Sequence, residues 1–403
     1  MTGSAELVTD SARVPPTQRL ARRPLRVLHL TSLEKKNYFL NNLVDYCDRR
    51  AVEFSVVTLT GEGEFAVELR RRGICVYCLE CVKRRRAVSA CLQLWQIIRN
   101  HDVDIVHTHL FDPTLMGVTV AKLLGRATIM TRHHSDALYR IQNSIKRWAY
   151  LRLEQYSSSM ADHIIAPSAE VQRILLLREK VRESKVSLIP YPQDFRRFQS
   201  VSEQDIARAK LELGMRQPLN LVCISRLHPE KGHIYLFEAL AELRKESLNF
   251  TCYLVGEGPE LKSLEQKAAK LGIGQSIRFL GWRDDALAIL AAADCVVHPS
   301  LTEALPSALI EALAFSKPIV ASDVSGVRDI VDDYGEIVPP ANSRAFANAV
   351  RSVLADIESA KRRAAQGSSR IFEYMSAGRV AEAHVRCYQS TVLSRRRGIG
   401  LLR

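Results

Sequence analysis

Uninterrupted runs of β-branched and aliphatic residues recur along this chain, each followed by a stretch with helical spacing, and the whole rhythm occurs twice. RVLHLT (26–31), FSVVTL (54–59), ICVY (74–77), DIVHTH (104–109), TIMT (128–131), HIIAPS (163–168) and VSLIP (186–190) make the first series. After a polar break at 199–217, the second runs through LNLVCIS (219–225), TCYLVG (251–256), IRFLG (277–281), CVVHPS (295–300), PIVAS (318–322) and GEIVPP (335–340). Runs that are apolar throughout, rather than alternating, belong to strands covered on both faces, which means parallel sheets flanked by helices. The helical segments carry the stripe such coverage needs, with Leu236, Leu240 and Leu243 on one face of 232–247. Residues 343–390 read as helical throughout, and Arg395, Arg396 and Arg397 as a frayed basic end.

The expected organisation is therefore a tail (1–24), a first Rossmann-like domain (25–195), a second (217–375), and a terminal helix with a basic tail (376–403) packing back on the first. Two doubly wound sheets in series bring the carboxyl ends of their strands to a shared cleft, where open α/β sheets bind ligands. The opening segment contains Glu6, Asp10, Pro15 and Pro16 in place of an apolar signal core, and no run approaches the ~18 apolar residues of a spanning helix, so a cytoplasmic protein is expected. Nine cysteines then imply reduced thiols. Cys75, Cys78 and Cys81 have iron–sulfur spacing, with Cys91 as a fourth candidate. GICVYCLEC also reads as a buried strand lined with small apolar side chains, and it lacks the usual proline and compact ligand loop. The strand is the reading adopted, and no metal is expected.

Charge is lopsided. Residues 1–200 carry 31 Lys and Arg against 20 Asp and Glu, which is +11 of the net +13. That asymmetry fits an anionic membrane surface, an acidic acceptor or a nucleic acid, or simply a solvated basic face. Arg70, Arg71, Arg72 and Lys83 to Arg86 bracket the GICVYCLEC strand. In LYRIQNSIKRWAYLRL (138–153), Leu138, Ile141, Ile145, Trp148 and Leu151 recur at helical spacing among Arg140, Lys146, Arg147 and Arg152. Such a helix either docks on an anionic bilayer or packs on its own domain. The basic runs lack interleaved aromatics and no nucleic-acid module is present, so nucleic acid is not expected as a partner.

Two loops carry chemistry. ISRLHPEKG (224–232) sets Arg226 and Lys231 just after the first strand of the second domain, an arrangement suited to a diphosphate or to a solvated basic loop. SLTEALPSALIEALA (300–314) puts Pro306 at a helix start facing the cleft, an anion site by its free amides. Glu303 precedes that helix and Glu311 lies inside it; they either accept hydrogen bonds from sugar hydroxyls or, respectively, cap the helix and face water. No pair of acidic residues with metal-binding spacing follows a cleft strand, and Asp284-Asp285 reads as surface.

The succession Arg226, Lys231, Gly256-Glu257-Gly258-Pro259, Phe279-Leu280-Gly281, His298-Pro299-Ser300, then Glu303 and Glu311, resembles the large retaining family 4 of GT-B glycosyltransferases. The likeness spans about 25–390 and is strongest over 219–340; in the first half DIVHTHLF (104–111), TRHHSD (131–136) and ADHIIAPS (161–168) take the family's places. It implies a GT-B architecture and a retaining, metal-independent transfer from a nucleotide-sugar donor, UDP by default, with no cofactor, onto an unidentified glycan or lipid-linked acceptor. As catalytic residues it implies Arg226 and Lys231 on the diphosphate, Glu303 on the donor sugar, and His133 on a sugar hydroxyl across the cleft. For donor binding it implies Glu311 on the ribose, the Ala304–Leu305 backbone near the sugar, Trp282 near the base, and His109 lining the cleft floor. For His133 and His109 a hydrogen-bonded structural role is the alternative. Departures are SLEKKN (32–37) without a glycine-rich turn, YPQD (191–194) in place of an Asn-Gly turn, and Ser225, Ala304 and Ser316 where glycine is usual. A GT-B epimerase or phosphorylase would share this fold, and an acceptor-free assay separates an epimerase from a transferase.

Overall fold

The computed structural model describes residues 23–35, 38–81, 86–133, 141–215 and 219–400. Most of the expected tail, and Lys83, Arg84, Arg85, Leu138 and Arg140, lie outside these residues. Every run expected as a strand is one. The first sheet holds β1 (Leu25–Thr31), β2 (Val52–Thr58), β3 (Cys75–Cys78), β4 (Ile105–His109), β5 (Ala127–Thr131), β6 (His163–Ala166) and β7 (Val186–Leu188), parallel in the order 3-2-1-4-5-6-7. The second holds β8 (Asn220–Ile224), β9 (Thr251–Val255), β10 (Ile277–Gly281), β11 (Cys295–His298), β12 (Ile319–Ser322) and β13 (Glu336–Val338), parallel in the order 10-9-8-11-12-13. Two Rossmann-like sheets facing one cleft are the GT-B architecture.

The helices of the first half are α1 (Tyr38–Tyr46), α2 (Glu64–Arg71), α3 (Ala87–Asn100), α4 (Phe111–Leu123), α5 (Ser144–Met160), α6 (Ala169–Arg173) and α7 (Arg196–Gln199). Those of the second are α8 (Glu203–Leu213), α9 (His233–Lys245), α10 (Leu261–Lys270), α11 (Ala286–Ala292), α12 (Ser307–Ala314), α13 (Val327–Ile330), α14 (Ser343–Ala355), α15 (Ile357–Met375) and α16 (Ala377–Gly400). In α9 the leucines 236, 240 and 243 are buried on the sheet, and each such side chain contributes roughly 1.5–3 kcal/mol. No helix among the described residues is long and apolar enough to cross a membrane.

Three sequence readings change. The polar break at 199–217 contains α8, started by a Ser202–Asp205 capping box and stopped by Gly214 in the left-handed conformation. Its Ala209, with Met215 beyond it, packs in the same core as Ile289, so the second domain's packing begins before 217. The strand β3 is the sheet edge rather than a buried strand, with Val76 buried and Cys75 exposed. Residues 343–390 form three helices, broken at Asp356, whose side chain caps α15, and at Ser376.

The last helix, α16, crosses back and buries Val380, Ala381, Tyr388 and Val392 against Val27, Leu40 and Leu43 of the first domain. The two crossings between domains are bonded to each other: Gln193 N–H donates to Met375 O at 2.8 Å, and Ala377 N–H to Gln193 O at 2.9 Å.

The helix α12 ends in a Schellman motif, with Ser316 N–H bonded to Leu313 O and Lys317 N–H to Ala312 O. This geometry puts Ser316 at φ 52°, a left-handed conformation that costs a side chain on the order of 1 kcal/mol. Ser316→Gly is expected to raise the unfolding free energy by roughly 0.5–1 kcal/mol after the extra freedom of the unfolded chain is deducted. Urea denaturation measures it, and an unchanged or lower midpoint contradicts the strain.

Candidate functional site

Loops at the carboxyl ends of β8, β9 and β11 are stitched together by main-chain bonds. Leu227 N–H donates to Glu257 O (2.8 Å), Glu260 N–H to Leu227 O (3.2 Å), and Leu301 N–H to Glu230 O (2.8 Å). Gly232 ends the turn at φ 65°, where any Cβ would come within 2.2 Å of Pro299 O. Glycine is thus required for the turn to press on the β11 loop, and that contact delivers Lys231 to Glu303.

The Lys231 Nζ lies 2.6 Å from Glu303 Oε1, which also accepts from Ser300 Oγ (2.8 Å) and His298 Nε2 (3.0 Å). Both side chains of this ion pair are largely buried. Burial works to raise the Glu303 pKa, but His298 and Lys231 overcome it and bring the value down to about 2. Glu303 is therefore a fixed carboxylate rather than a cap for α12; the cap position is Pro306, and no side chain caps that helix. The start of α12 lies just beyond the carboxyl end of β11, the strand end at which open α/β sheets bind ligands. Gly326 closes this corner, since a Cβ there would stand 2.1 Å from Ala304 O and 2.9 Å from the Leu305 Cα. Leu305 is buried and Ala304 partly exposed.

Arg226 differs from Lys231. Its side chain is 71% exposed and pairs with Glu230 at 3.1 Å. Glu311 does not face water: its carboxylate is held at 2.9 Å by the Arg197 guanidinium, both are mostly buried, and burial raises the Glu311 pKa against the pull of Arg197. Trp282 is exposed, with its indole N–H on Asp284 and its backbone beside Glu257. Asp285 pairs with Arg283, as a surface loop should.

On the facing domain, His109 does not line the cleft floor with an open side chain. It is fully buried, beneath His133, in a chain of bonds: Tyr191 Oη to His133 Nδ1 (2.9 Å), His133 Nε2 to His109 Nδ1 (3.0 Å), His109 Nε2 to His29 Nδ1 (2.9 Å). Both ring nitrogens of His133 are thus engaged within the protein, and contact with a sugar through the ring requires one of these bonds to be exchanged. Burial lowers the pKa of His29 to about 3 and of His384 to about 4, and drives His107 and His109 well below the ordinary value, so these rings are neutral at physiological pH. The ligand nitrogens of His29, His107 and His109 converge within 4.8 Å. A zinc ion holding imidazoles at ~2.0–2.1 Å would spread its nitrogens to about 3.3 Å. The 2.9 Å His29–His109 separation is a hydrogen bond instead, and the His107 nitrogens bond Tyr388 Oη and Thr131 Oγ1.

Sequence reasoning missed Arg132, Tyr191 and Arg197. Arg132, next to His133, is 2% exposed and forks to Glu154 and Glu179, anchoring the loop that carries the histidine. Its carboxylates lie 22 and 47 residues away, so no local pattern marks it. Between the domains opens a cavity of about 320 Å³, lined by Arg173 and Arg178 from one side and by Thr302, Asp323 and Ser325 from the other.

The basic surface is uneven. Arg70, Arg71 and Arg72 are spent on Glu62, Glu68 and Asp45. On α5, Ile145 and Trp148 are 79% and 62% exposed while Leu151 is half-buried, so the first turns of this helix leave their apolar positions outside the core, and its buried residues are Glu154, Ser157 and Ser158. Helices α3, α4 and α5 lie side by side, and α3 adds exposed Val88 and Leu92.

Residues 204–370 match the family model for glycosyl transferases group 1, and residues 37–197 that for glycosyltransferase family 4. The chain is 26% identical over 275 residues to the UDP-Gal:alpha-D-GlcNAc-diphosphoundecaprenol alpha-1,3-galactosyltransferase of Escherichia coli, covering 67% of this chain and 71% of that one. It is 26% identical over 293 residues to the 2-deoxystreptamine glucosyltransferase of Streptomyces kanamyceticus, covering 69% and 71%. Anabaena HepE, in a crystal structure with UDP-glucose, superposes with a TM-score of 0.77 at 22% identity, covering 91% of this chain and all of that one. At that identity the likeness shows the fold.

The Glu303 geometry sets a pH dependence. Its folded pKa, about 2, lies below the usual 4.5, so its contribution to stability is complete above the unfolded value and is lost as pH falls from about 4.5 toward 2. The stability difference between the native protein and Glu303→Gln is expected to be flat above pH 5 and to shrink below it, by on the order of 3 kcal/mol in full. Denaturant titrations at stepped pH measure this, and a difference that grows on acidification contradicts it.

Proposed function

We propose that the chain, which matches a glycosyltransferase family model on each domain, is a GT-B glycosyltransferase of the group 1 class that transfers a sugar from a UDP donor, with retention at the anomeric carbon and without a metal, to a lipid-linked acceptor at an anionic membrane surface. The observation that carries the donor half of this reading is the buried Lys231–Glu303 pair beside the uncapped start of α12. In the transfer, the bond from the anomeric carbon to the β-phosphate oxygen breaks and its electron pair stays with the diphosphate. The acceptor oxygen bonds to the same face of that carbon, and its proton passes to the departing phosphate.

What this step needs is positive charge fixed at the leaving group. Lys231 supplies it from a position that cannot wander. Arg226 supplies a mobile fork: an exposed ion pair such as Arg226–Glu230 is worth only ~0.2–1 kcal/mol, so a phosphate can displace Glu230 at little cost. Glu303, ionised down to about pH 2, serves as acceptor for a sugar hydroxyl and not as an acid. His133 comes to the sugar only by exchanging one of its two internal bonds.

Arg226→Ala and Lys231→Ala are each expected to lower kcat by on the order of 100-fold while the fold survives, with EDTA leaving activity intact. Near-native kcat in either variant, or loss of activity on chelation, overturns the metal-free assignment. Proton NMR of the product reads the anomeric outcome.

The acceptor half rests on the first domain. Helices in parallel units start at the carboxyl ends of their strands, so Val88 and Leu92 near the start of α3, and Ile145 and Trp148 near the start of α5, flank the cleft together with Lys146 and Arg152. Exposed aliphatic and indole groups among cations suit a headgroup region, where each close cation adds ~1 kcal/mol. The Escherichia coli relative acts, by its name, on a diphosphoundecaprenol-linked sugar. Co-sedimentation with vesicles should rise with anionic lipid, fall at high salt, and weaken in Ile145→Ser/Trp148→Ser. If nothing pellets with anionic vesicles at low salt, a soluble acceptor is the better reading.

A further inference from the structure

Glu311 sits inside α12 with little exposure, and a carboxylate in such a place tends to take up a proton. A carboxylate offers about four lone-pair positions to donors, whereas a neutral carboxyl has lost one and gained a proton of its own. To bind the adjacent hydroxyls of a ribose, it serves best when ionised and held in one orientation. Arg197 works toward both. Its positive charge opposes the protonation that burial favours, and its Nη2, 2.9 Å from Glu311 Oε1, restrains the carboxylate while leaving acceptor capacity on it.

The guanidinium is itself pinned. It lies 4.6 Å from the Phe198 ring centroid, and Nη2 reaches Gln193 Oε1 at 3.4 Å. Phe198 stacks edge-on against Phe315 at the end of α12, and Phe195 packs on Phe372 of α15. The short helix α7 is therefore bolted to the second domain on both sides of Arg197, although it follows directly on the segment that leaves the first. A long, flexible cation would hold Glu311 loosely; one lying against Phe198, on a helix anchored to the second domain, holds it near a single geometry.

We propose that Arg197 is a positioning residue for the donor nucleotide, holding Glu311 as the acceptor of the ribose hydroxyls. This rests on the reading of Glu311 as the ribose contact. Arg197 touches no substrate; it acts through Glu311, so its loss weakens the recognition of the ribose in ground and transition states alike.

Calorimetry tests this with whichever of UDP, GDP and ADP binds the native protein most tightly, paired with its 2′-deoxy form. The native protein should favour the ribose form by about tenfold or more, as expected for a hydroxyl bonded to a charged acceptor. Glu311→Ala should bring the ratio to about one; a native protein with no preference, or a Glu311→Ala variant that keeps it, overturns the ribose reading itself. With that reading intact, Arg197→Ala should reduce the ratio to about threefold or less, raise KM, and change kcat by less than about twofold, and Arg197→Lys should restore part of the ratio. A merely structural arginine would weaken both nucleotides equally and leave the ratio unchanged, which is the result that overturns the proposal. Because Arg197→Ala strands a buried carboxylate, the neutral pair Arg197→Met/Glu311→Gln and the single Arg197→Gln serve where alanine does not fold. The proposal requires that the first discriminate no better than Glu311→Ala and that the second lose most of the ratio; full discrimination in Arg197→Gln overturns it.

Discussion

The buried contact between Lys231 and Glu303 is the constraint around which the second domain's loops are arranged. An isolated carboxylate in that position would be neutralised, because burial alone disfavours its charge. Three donors on one oxygen reverse the balance, and each comes from a place that the backbone must deliver: the turn ending at Gly232, the end of β11 at His298, and Ser300 beyond it. The close approaches at Gly232 and Gly326 follow from this requirement, since both bring main chain against the segment that carries Glu303. Removing one partner of such a pair leaves the other charged and unsatisfied, which is why buried pairs tend to be costly to break even when they add little net stability.

The facing domain solves a different problem by hydrogen bonding neutral rings. Four histidines, at 29, 107, 109 and 384, lie where water does not reach, and all their ring nitrogens except the Nε2 atoms of His29 and His384 are bonded, to one another, to His133, Tyr388 and Thr131, or to the Val380 carbonyl. Neutral imidazoles can be satisfied this way because each offers one donor and one acceptor. The chain ends at His133 and Tyr191 near the cleft, and the Arg132 fork behind it holds the loop to Glu154 and Glu179. Rigid support of this kind lets a loop present a side chain reproducibly.

Between the domains the chain passes twice, and the two passages are tied at Gln193, Met375 and Ala377. A third tie spans the cleft itself, where Asp329 of α13 accepts from the Ala169 amide at the start of α6 at 2.6 Å. Motion of one domain against the other must pivot near the first two contacts and exchange the third. Lys231, Glu303 and Glu311 all ride on the second domain, and Arg197 is packed there beside Phe198, so domain motion leaves that set of contacts intact.

Much of this protein follows from local sequence. Continuous apolar runs with helical stretches between them predicted all thirteen strands, because a strand covered on both faces has no polar side to alternate with. The capping box at Ser202–Asp205 and the left-handed Gly214 were equally local signals of α8, hidden only by the polarity of the stretch. The positions of Arg226, Lys231, Glu303 and Glu311 were legible because loops after parallel strands converge on one cleft. Which of those charges meet was not legible. That Lys231 faces Glu303 while Arg226 turns to Glu230, that Glu311 is held by a residue 114 positions earlier, and that His133 spends both nitrogens inside the fold depend on contacts between distant segments. The same holds for the outward apolar face of α5, whose helical spacing is the same whether it meets a core or a solvent. Periodicity along a chain reports which residues share a face; only the packed structure decides what that face touches, because partner and burial are properties of the assembled elements and not of any one of them.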